Sequence, residues 1–224
     1  MRSRTAHRPA RKAPPAIDRT ATLALADRAR ARGRRRKAVA LYQRVLAQHP
    51  DDLAVHGKVA PLLAARGDRE GALRSFRAAI DGHRRAGFVD RALAVLAQAT
   101  EAFPRDDGLW EEMGDLELSR GRRADAVAAL VRGGRTLLAA RALGPAERLL
   151  HAAGRLEPWH GEATLLLARA WARSGRRRDA IRLLEGLAQR TGGRTRAAAR
   201  ALALRLSPTP GRLWRWLRPS TGSG

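Results

Sequence analysis

The chain has 224 residues, enough for one or two ordinary domains or one elongated repeat array. Apolar residues make up 44% but aromatics only 4%, and the apolar set is mostly Ala and Leu, which favours helices packed on small side chains. There is no cysteine, which excludes disulfides, thiolate zinc sites and thiol nucleophiles, and the formal net charge of +24 raises the question of a polyanionic partner.

The first segment, 1–17, reads as a disordered basic tail containing proline. Through residue 16 it carries five Lys and Arg and no acid, and it lacks the apolar run of a secretory signal. No window reaches about 18 uninterrupted apolar residues, so the expectation is a cytoplasmic protein without a membrane span. Residues 191–224 carry seven more Arg and no acid, so half of the charge excess sits in the two ends. The middle, 17–190, holds 33 basic and 21 acidic residues, almost all of the basic ones Arg. An Arg-rich, Ala-rich bias is also what a bacterial-like GC-rich coding sequence produces, so a solvated surface is the first reading of the charge and a polyanion site the second.

Helices are predicted in chain order over 19–32, 36–48, 53–66, 69–86, 89–103, 107–120, 123–141, 144–157, 161–174 and 177–190, with a weaker one over 196–206. The stretch "RRRKAVALYQRVLAQHPDD", residues 34–52, illustrates the reading. Ala38, Val39, Tyr42, Val45 and Leu46 form one apolar stripe, and Arg34, Arg35, Arg36 and Lys37 occupy the preceding turn and exposed positions. Gly33, Gly67, Gly87, Gly121 and Gly175 stand where helices must stop, since glycine takes the left-handed position after a helix cheaply. Pro50, Pro104 and Pro158 follow helix ends, and Asp51, Asp52, Asp106 and Asp107 lie at the next starts, where negative charge suits the dipole. Pro61 falls inside 53–66 and is expected to kink that helix or delay its beginning.

The spacing of these residues is periodic. Pro50, Pro104 and Pro158 are 54 residues apart, as are Gly67, Gly121 and Gly175, Ala38, Ala92 and Ala146, and Ala72, Ala126 and Ala180. Four series in one register imply three copies of one supersecondary unit. The alanines alternate in spacing, 34 then 20 residues, which fits a helical hairpin followed by one further helix in each unit. An Ala at a crossing lets neighbouring helices approach closely, and the Tyr, Phe or Leu four residues on fills the adjacent groove.

These residues resemble the tetratricopeptide repeat (TPR) family. The second-helix pattern appears as Gly33, Ala38, Tyr42, Val45 and Pro50, and returns as Gly67, Ala72, Phe76 and Ala79. It recurs as Gly87, Ala92, Leu96, Ala99 and Pro104, as Gly121, Ala126 and Leu130, and as Gly175, Ala180, Leu184 and Leu187. First-helix positions match as Trp110, Met113 and Gly114, and as Thr164, Leu167, Ala168 and Trp171. The resemblance covers about residues 19–190 and implies an all-α solenoid of antiparallel helices, ten to eleven in number. The organisation expected is a repeat domain over 18–190, a capping helix over 191–207 and a Trp- and Arg-containing tail over 208–224. The 20-residue spacings depart from strict two-helix alternation, so helices 73–86 and 127–140 are expected to serve two repeats each.

No catalytic constellation is present. His49, His56, His83 and His151 are scattered without metal-binding spacing or a paired nucleophile. Glu111 with Glu112, and Asp106 with Asp107, read as helix starts, and Gly133-Gly134 lies inside a helix without a phosphate-loop frame. The expectation is a protein that is not an enzyme and needs no cofactor or metal.

The resemblance implies a protein or peptide partner on the face lined by first helices. The positions matching that face are Leu23, Asp27 and Arg30, then Glu111, Asp115 and Leu118, then Glu162, Leu165, Arg169 and Arg173. The family's carboxylate clamp needs Lys and Asn where this chain has Leu23 and Asp27, which argues against a receptor for chaperone tails. Trp171 occupies the family's packing aromatic position and reads as core. In the tail, Trp214 and Trp216 with Arg215 form a candidate anchor, either a cap on the array, a partner or self-association element, or a contact with nucleic acid or an anionic membrane surface. The leading function is a non-enzymatic scaffold or adaptor. The alternative is a binder of polyanions or anionic membranes through the basic ends, with nucleic acid the less favoured partner.

Overall fold

In the computed structural model the described residues are 18–207. They form eleven helices and no strand: α1 Arg19–Ala31, α2 Arg35–Gln48, α3 Leu53–Ala65, α4 Arg69–Arg85, α5 Val89–Ala102, α6 Asp107–Ser119, α7 Arg123–Ala139, α8 Leu143–Leu156, α9 Gly161–Arg173, α10 Arg177–Arg190 and α11 Gly193–Leu206. The 54-residue register is visible in the helix starts: Arg35, Val89 and Leu143; Leu53, Asp107 and Gly161; Arg69, Arg123 and Arg177. The chain forms two compact units, one ending at Gly82 and the other beginning at His83.

Local chemistry sets the helix ends. Asp18 accepts from the Ala21 amide at 3.0 Å, Asp52 from Val55 at 3.2 Å and Asp68 from Gly71 at 2.9 Å, each offsetting an orphan donor of a first turn. Gly33, Gly67, Gly87, Gly121 and Gly175 all have positive φ, as the punctuation requires. Arg141 holds the same left-handed position, with φ 61°, 54 residues after Gly87. Its turn makes the same closing bond, Ala142 N to Leu137 O at 2.9 Å, as Phe88 N to His83 O at 2.8 Å. An L-residue there costs about 1 kcal/mol relative to glycine. Arg141→Gly is therefore expected to raise stability by about 1 kcal/mol, read as an upward shift of the urea midpoint at unchanged slope.

Two expected boundaries change. Helix α3 starts on its Asp52 cap, so Pro61 does not delay it. The helix runs through the proline, whose missing N–H leaves the Gly57 carbonyl without that bond. Helix α11 begins at Gly193 rather than 196, because Gly193 takes φ 51° and turns the chain directly into the helix. Leu46 is half-buried rather than core, while Ala38, Val39, Tyr42 and Val45 are buried and Arg34 to Lys37 are exposed.

In the first unit α1 packs on α2 and α2 on α3. Gly82 of α4 lies so close to α3 that a Cβ there would meet Leu53 Cδ2 at 2.1 Å. In the second unit each helix from α5 to α11 packs on the next, and further contacts join α6 to α8, α7 to α9 and α9 to α11. These next-but-one contacts sort the helices into two layers, with α7, α9 and α11 on one side and α6 and α8 on the other. Ala38, Ala72, Ala92, Ala126, Ala146 and Ala180 are all fully buried, as a crossing role demands.

Candidate functional site

The layering decides which predicted residues share a surface. A unit of three helices laid into a two-layer array changes sides at every repeat, because three is odd. Helices α6 and α9 hold equivalent register positions, yet α6 sits with α8 and α9 sits between α7 and α11. The stripe Glu111, Asp115 and Leu118 on α6 and the stripe Glu162, Leu165, Arg169 and Arg173 on α9 therefore occupy opposite layers.

On α6, Glu111 is half-buried and lines a cleft with Gly144, Glu147, Arg148, His151 and Arg155 of α8. Asp115 is exposed and Leu118 is 40% exposed. Arg148 pairs with Asp107 across the same two helices. Beside the cleft, Glu147 accepts from Trp171 Nε1 at 2.8 Å and pairs with Arg176, whose guanidinium lies 5.2 Å from the Trp171 ring centroid. His151 Nε2 lies 3.5 Å from Glu147. The Arg176 bond outweighs the opposing effect of burial, and with Trp171 and His151 it holds the Glu147 carboxyl below the usual range. This cluster ties α8, α9 and the start of α10 together, with Trp171 packed on the core as its register position implies.

On α9, Glu162 pairs with Arg135 of α7, and Arg173 Nη1 donates to the Leu138 carbonyl at 3.0 Å. Both contacts lash α9 to its layer neighbour. Leu165 packs against the buried cluster of Ala168, Ala180, Leu184, Leu187, Ala199 and Ala203. Arg169 is exposed and forms no hydrogen bond or ion pair among the described residues.

On α1, Leu23 is half-buried and Arg30 exposed. Asp27 is held inside the first unit, accepting from Tyr42 Oη of α2 at 2.5 Å and Lys58 Nζ of α3 at 2.8 Å. Sequence reading places Asp27 toward a partner, and nothing in the spacing marked Tyr42 and Lys58 as its bonding groups. Burial pushes the carboxyl up, but the Lys58 and Tyr42 bonds and the charges of Lys58 and Arg30 prevail and hold it below 3.8. Burial, the Asp27 bond and the Asp27 charge push the Tyr42 phenol well above its ordinary value.

A lowered carboxylate stabilises the fold above its unfolded pKa and loses that contribution as pH falls through the folded value. Asp27→Ala is expected to cost about 1.5 kcal/mol at neutral pH, mostly through the Tyr42 bond, because the half-exposed Lys58 pair is screened. The loss should shrink as pH falls below the ordinary carboxylate range and through the lowered folded value, where the wild-type carboxyl is protonated as well, as urea unfolding across pH would register.

The anchor residues Trp214, Arg215 and Trp216 lie outside the described residues. Exposed aromatics within them are Trp159, with φ 67° and the Arg190 guanidinium 4.2 Å from its ring centroid, and Phe88, with Arg91 at 4.7 Å. Among the described residues no three His, Asp or Glu converge on a metal-sized space, and no helix is long and apolar enough to cross a membrane.

The hairpin turns, the buried alanines and the two stacked layers define the class: an all-α helical-repeat array. No family model and no curated protein matches the chain. Among solved structures it is similar to TPR-like repeats of a kinesin light chain from Podosopora anserina, at 19% identity and TM-score 0.38, covering 88% of this chain and 90% of that one. It is also similar to a thermophilic TPR protein of Thermus thermophilus, at 20% identity and TM-score 0.27, covering 89% and 97%. A third is PilW, a type IV pilus biogenesis factor, at 15% identity and TM-score 0.35, covering 88% and 90%.

Proposed function

We propose that this protein is a non-enzymatic scaffold that binds a segment of another protein on the face of α9 between α7 and α11. The observation that carries this reading is the state of Arg169. It stands exposed and unbonded in the middle of a stripe whose other polar members, Glu162 and Arg173, are fixed to α7. A guanidinium presented from a braced helix is an efficient contact for carboxylates, since its planar donors are already oriented. Complementary charge at such a surface steers and selects a partner more than it adds affinity.

The stripe on α6 is a second and separate element of the same reading. Asp115 and Leu118 offer an acid and an apolar group on the opposite layer, so a partner reaching both stripes must pass around an edge. The test is site-specific photo-crosslinking with the intact protein in its own cells. A photoreactive residue at Arg169 is expected to capture a discrete protein adduct that Arg173→Glu with Glu162→Lys abolishes. A probe at exposed Arg91 should capture none. Equal, non-discrete adducts at Arg169 and Arg91 would defeat the reading.

A further inference from the structure

The described residues divide their charge unevenly. Residues 83–160 carry 12 Arg against 11 Asp and Glu, a net +1, whereas 161–207 carry 11 Arg against 3, a net +8. A coding bias accounts for the arginines of both stretches but not for the acids missing from the second. From Gly186 to Ser207 there are five Arg and no acid at all. Cations left without acids in this way suit a phosphate backbone, which gives up its counterions to them.

At one edge of this stretch the chain presents an aromatic ring. Trp159, in the turn between α8 and α9, has φ 67°, a left-handed position that disfavours a bulky L-residue. Asp51 and Arg105 hold the same register place in the two earlier copies, and neither has a positive φ. The turn lays the indole against Gly186 of α10, where a Cβ would stand 3.1 Å from it, yet Trp159 stays 38% exposed. Arg190 braces the arrangement: its guanidinium lies 4.2 Å from the ring centroid, and its Nη1 donates to the Gly186 carbonyl at 3.3 Å. A Cβ on Gly161 would meet Thr195 Cγ2 at 2.8 Å, so the start of α11 closes against the same turn. Arg194, beside Thr195, is exposed, and its side chain makes no hydrogen bond or ion pair among the described residues. Arg196 Nε donates to the Thr191 carbonyl at 2.6 Å, which fixes a third guanidinium here. Glu157 is the acid of this turn, and Arg190, Arg194 and Arg196 outnumber it.

We propose that this edge binds single-stranded nucleic acid, with one base stacked on the exposed indole of Trp159 and the adjoining phosphates on Arg190 and Arg194. The ring selects this ligand among polyanions. Guanidiniums alone serve any phosphate or carboxylate, but an indole held rigid beside them adds a stacking surface that every base can use. A duplex keeps its bases inside the stack, so a single strand is the form that meets the ring. An anionic membrane is held by a whole apolar helix face beside its cations, whereas Trp159 stands between Pro158 and His160 with Glu157 before them. The site does not depend on the reading of the α9 face.

The experiment is fluorescence anisotropy of the full-length chain with a labelled adenine oligonucleotide of about 12 residues, and with a base-free strand of equal length and charge. Trp159→Gly keeps the left-handed turn and removes only the ring. It is expected to weaken the adenine strand about tenfold and to leave the base-free strand unchanged, with Trp159→Phe falling between. Arg194→Glu should weaken both strands about tenfold, while Arg105→Glu, the same charge change at the equivalent place one copy earlier, leaves both within about twofold. Thermal melts of each variant confirm folding. Unchanged adenine affinity in folded Trp159→Gly would overturn the proposal. So would equal losses in Arg105→Glu and Arg194→Glu, which would mark general attraction to a basic chain. If Trp159→Gly instead released the protein from phosphatidylserine vesicles and spared the oligonucleotide, the edge would be a membrane contact and the proposal would fall.

Discussion

Ala126→Leu is expected to destabilise the folded chain by about 3 kcal/mol, at the upper end of what overpacking a closed core costs. Ala126 is fully buried near the start of α7, a helix that packs on α6 before it and on α8 after it. Helices that approach closely at an alanine have no free volume for three further carbons, so either the leucine leaves its rotamer wells or the two contacts open. The neighbouring Ala128 is exposed on the same helix, and Ala128→Leu should change stability by less than about 0.5 kcal/mol. Urea unfolding monitored by far-UV circular dichroism distinguishes them. Equal midpoints for the two variants would remove the central physical claim, that small residues at matching register positions set the helix crossings. The same substitution at Ala146 or Ala180, also fully buried, should reproduce the loss, since they occupy equivalent crossings of α8 and α10.

What the sequence made legible follows from which constraints are local. A left-handed turn residue, a capping aspartate and a buried alanine each act over a few positions, and Gly121, Asp52 and Ala126 all perform the roles their spacing implies. Helix number and register could be read because the same local solutions recur every 54 residues. Layer assignment is a parity property of the whole array. The 20-residue spacing hints at it, yet a resemblance to two-helix repeats carries α6 and α9 to one face, and the packing separates them. The partners of Asp27 were equally hidden, since Tyr42 and Lys58 meet it only after three helices have stacked. Trp159 shows the same limit: its positive φ lays the ring against Gly186 of α10, where a Cβ would stand 3.1 Å from the indole, a contact no periodicity announces. In this chain the turns and crossings belong to the sequence, and the surfaces belong to the stacking.

The glycines inside helices divide into two kinds, and their substitutions should have opposite signs. Gly133 of α7 sits where a Cβ would lie 2.5 Å from Trp110 Cγ and 2.8 Å from Trp110 Cβ, and the indole cannot swing aside without surrendering its bond from Nε1 to the Pro104 carbonyl at 3.2 Å. On its other side Leu149 stands at 2.7 Å, so α7 is held between α6 and α8 by the absence of a side chain. Gly133→Val therefore inserts three carbons between two fixed neighbours and is expected to cost about 3 kcal/mol, far more than the few tenths gained from helix propensity. Gly154 of α8 has no atom within 4 Å of the corresponding point. Gly154→Ala should raise stability by about 0.5–1 kcal/mol, because an alanine lowers the entropy of the unfolded chain and meets nothing in the folded one. Measuring both in one background separates propensity from packing. A destabilised Gly154→Ala, or a neutral Gly133→Val, would mean that α7 is not the closely clasped helix on which the second unit is built.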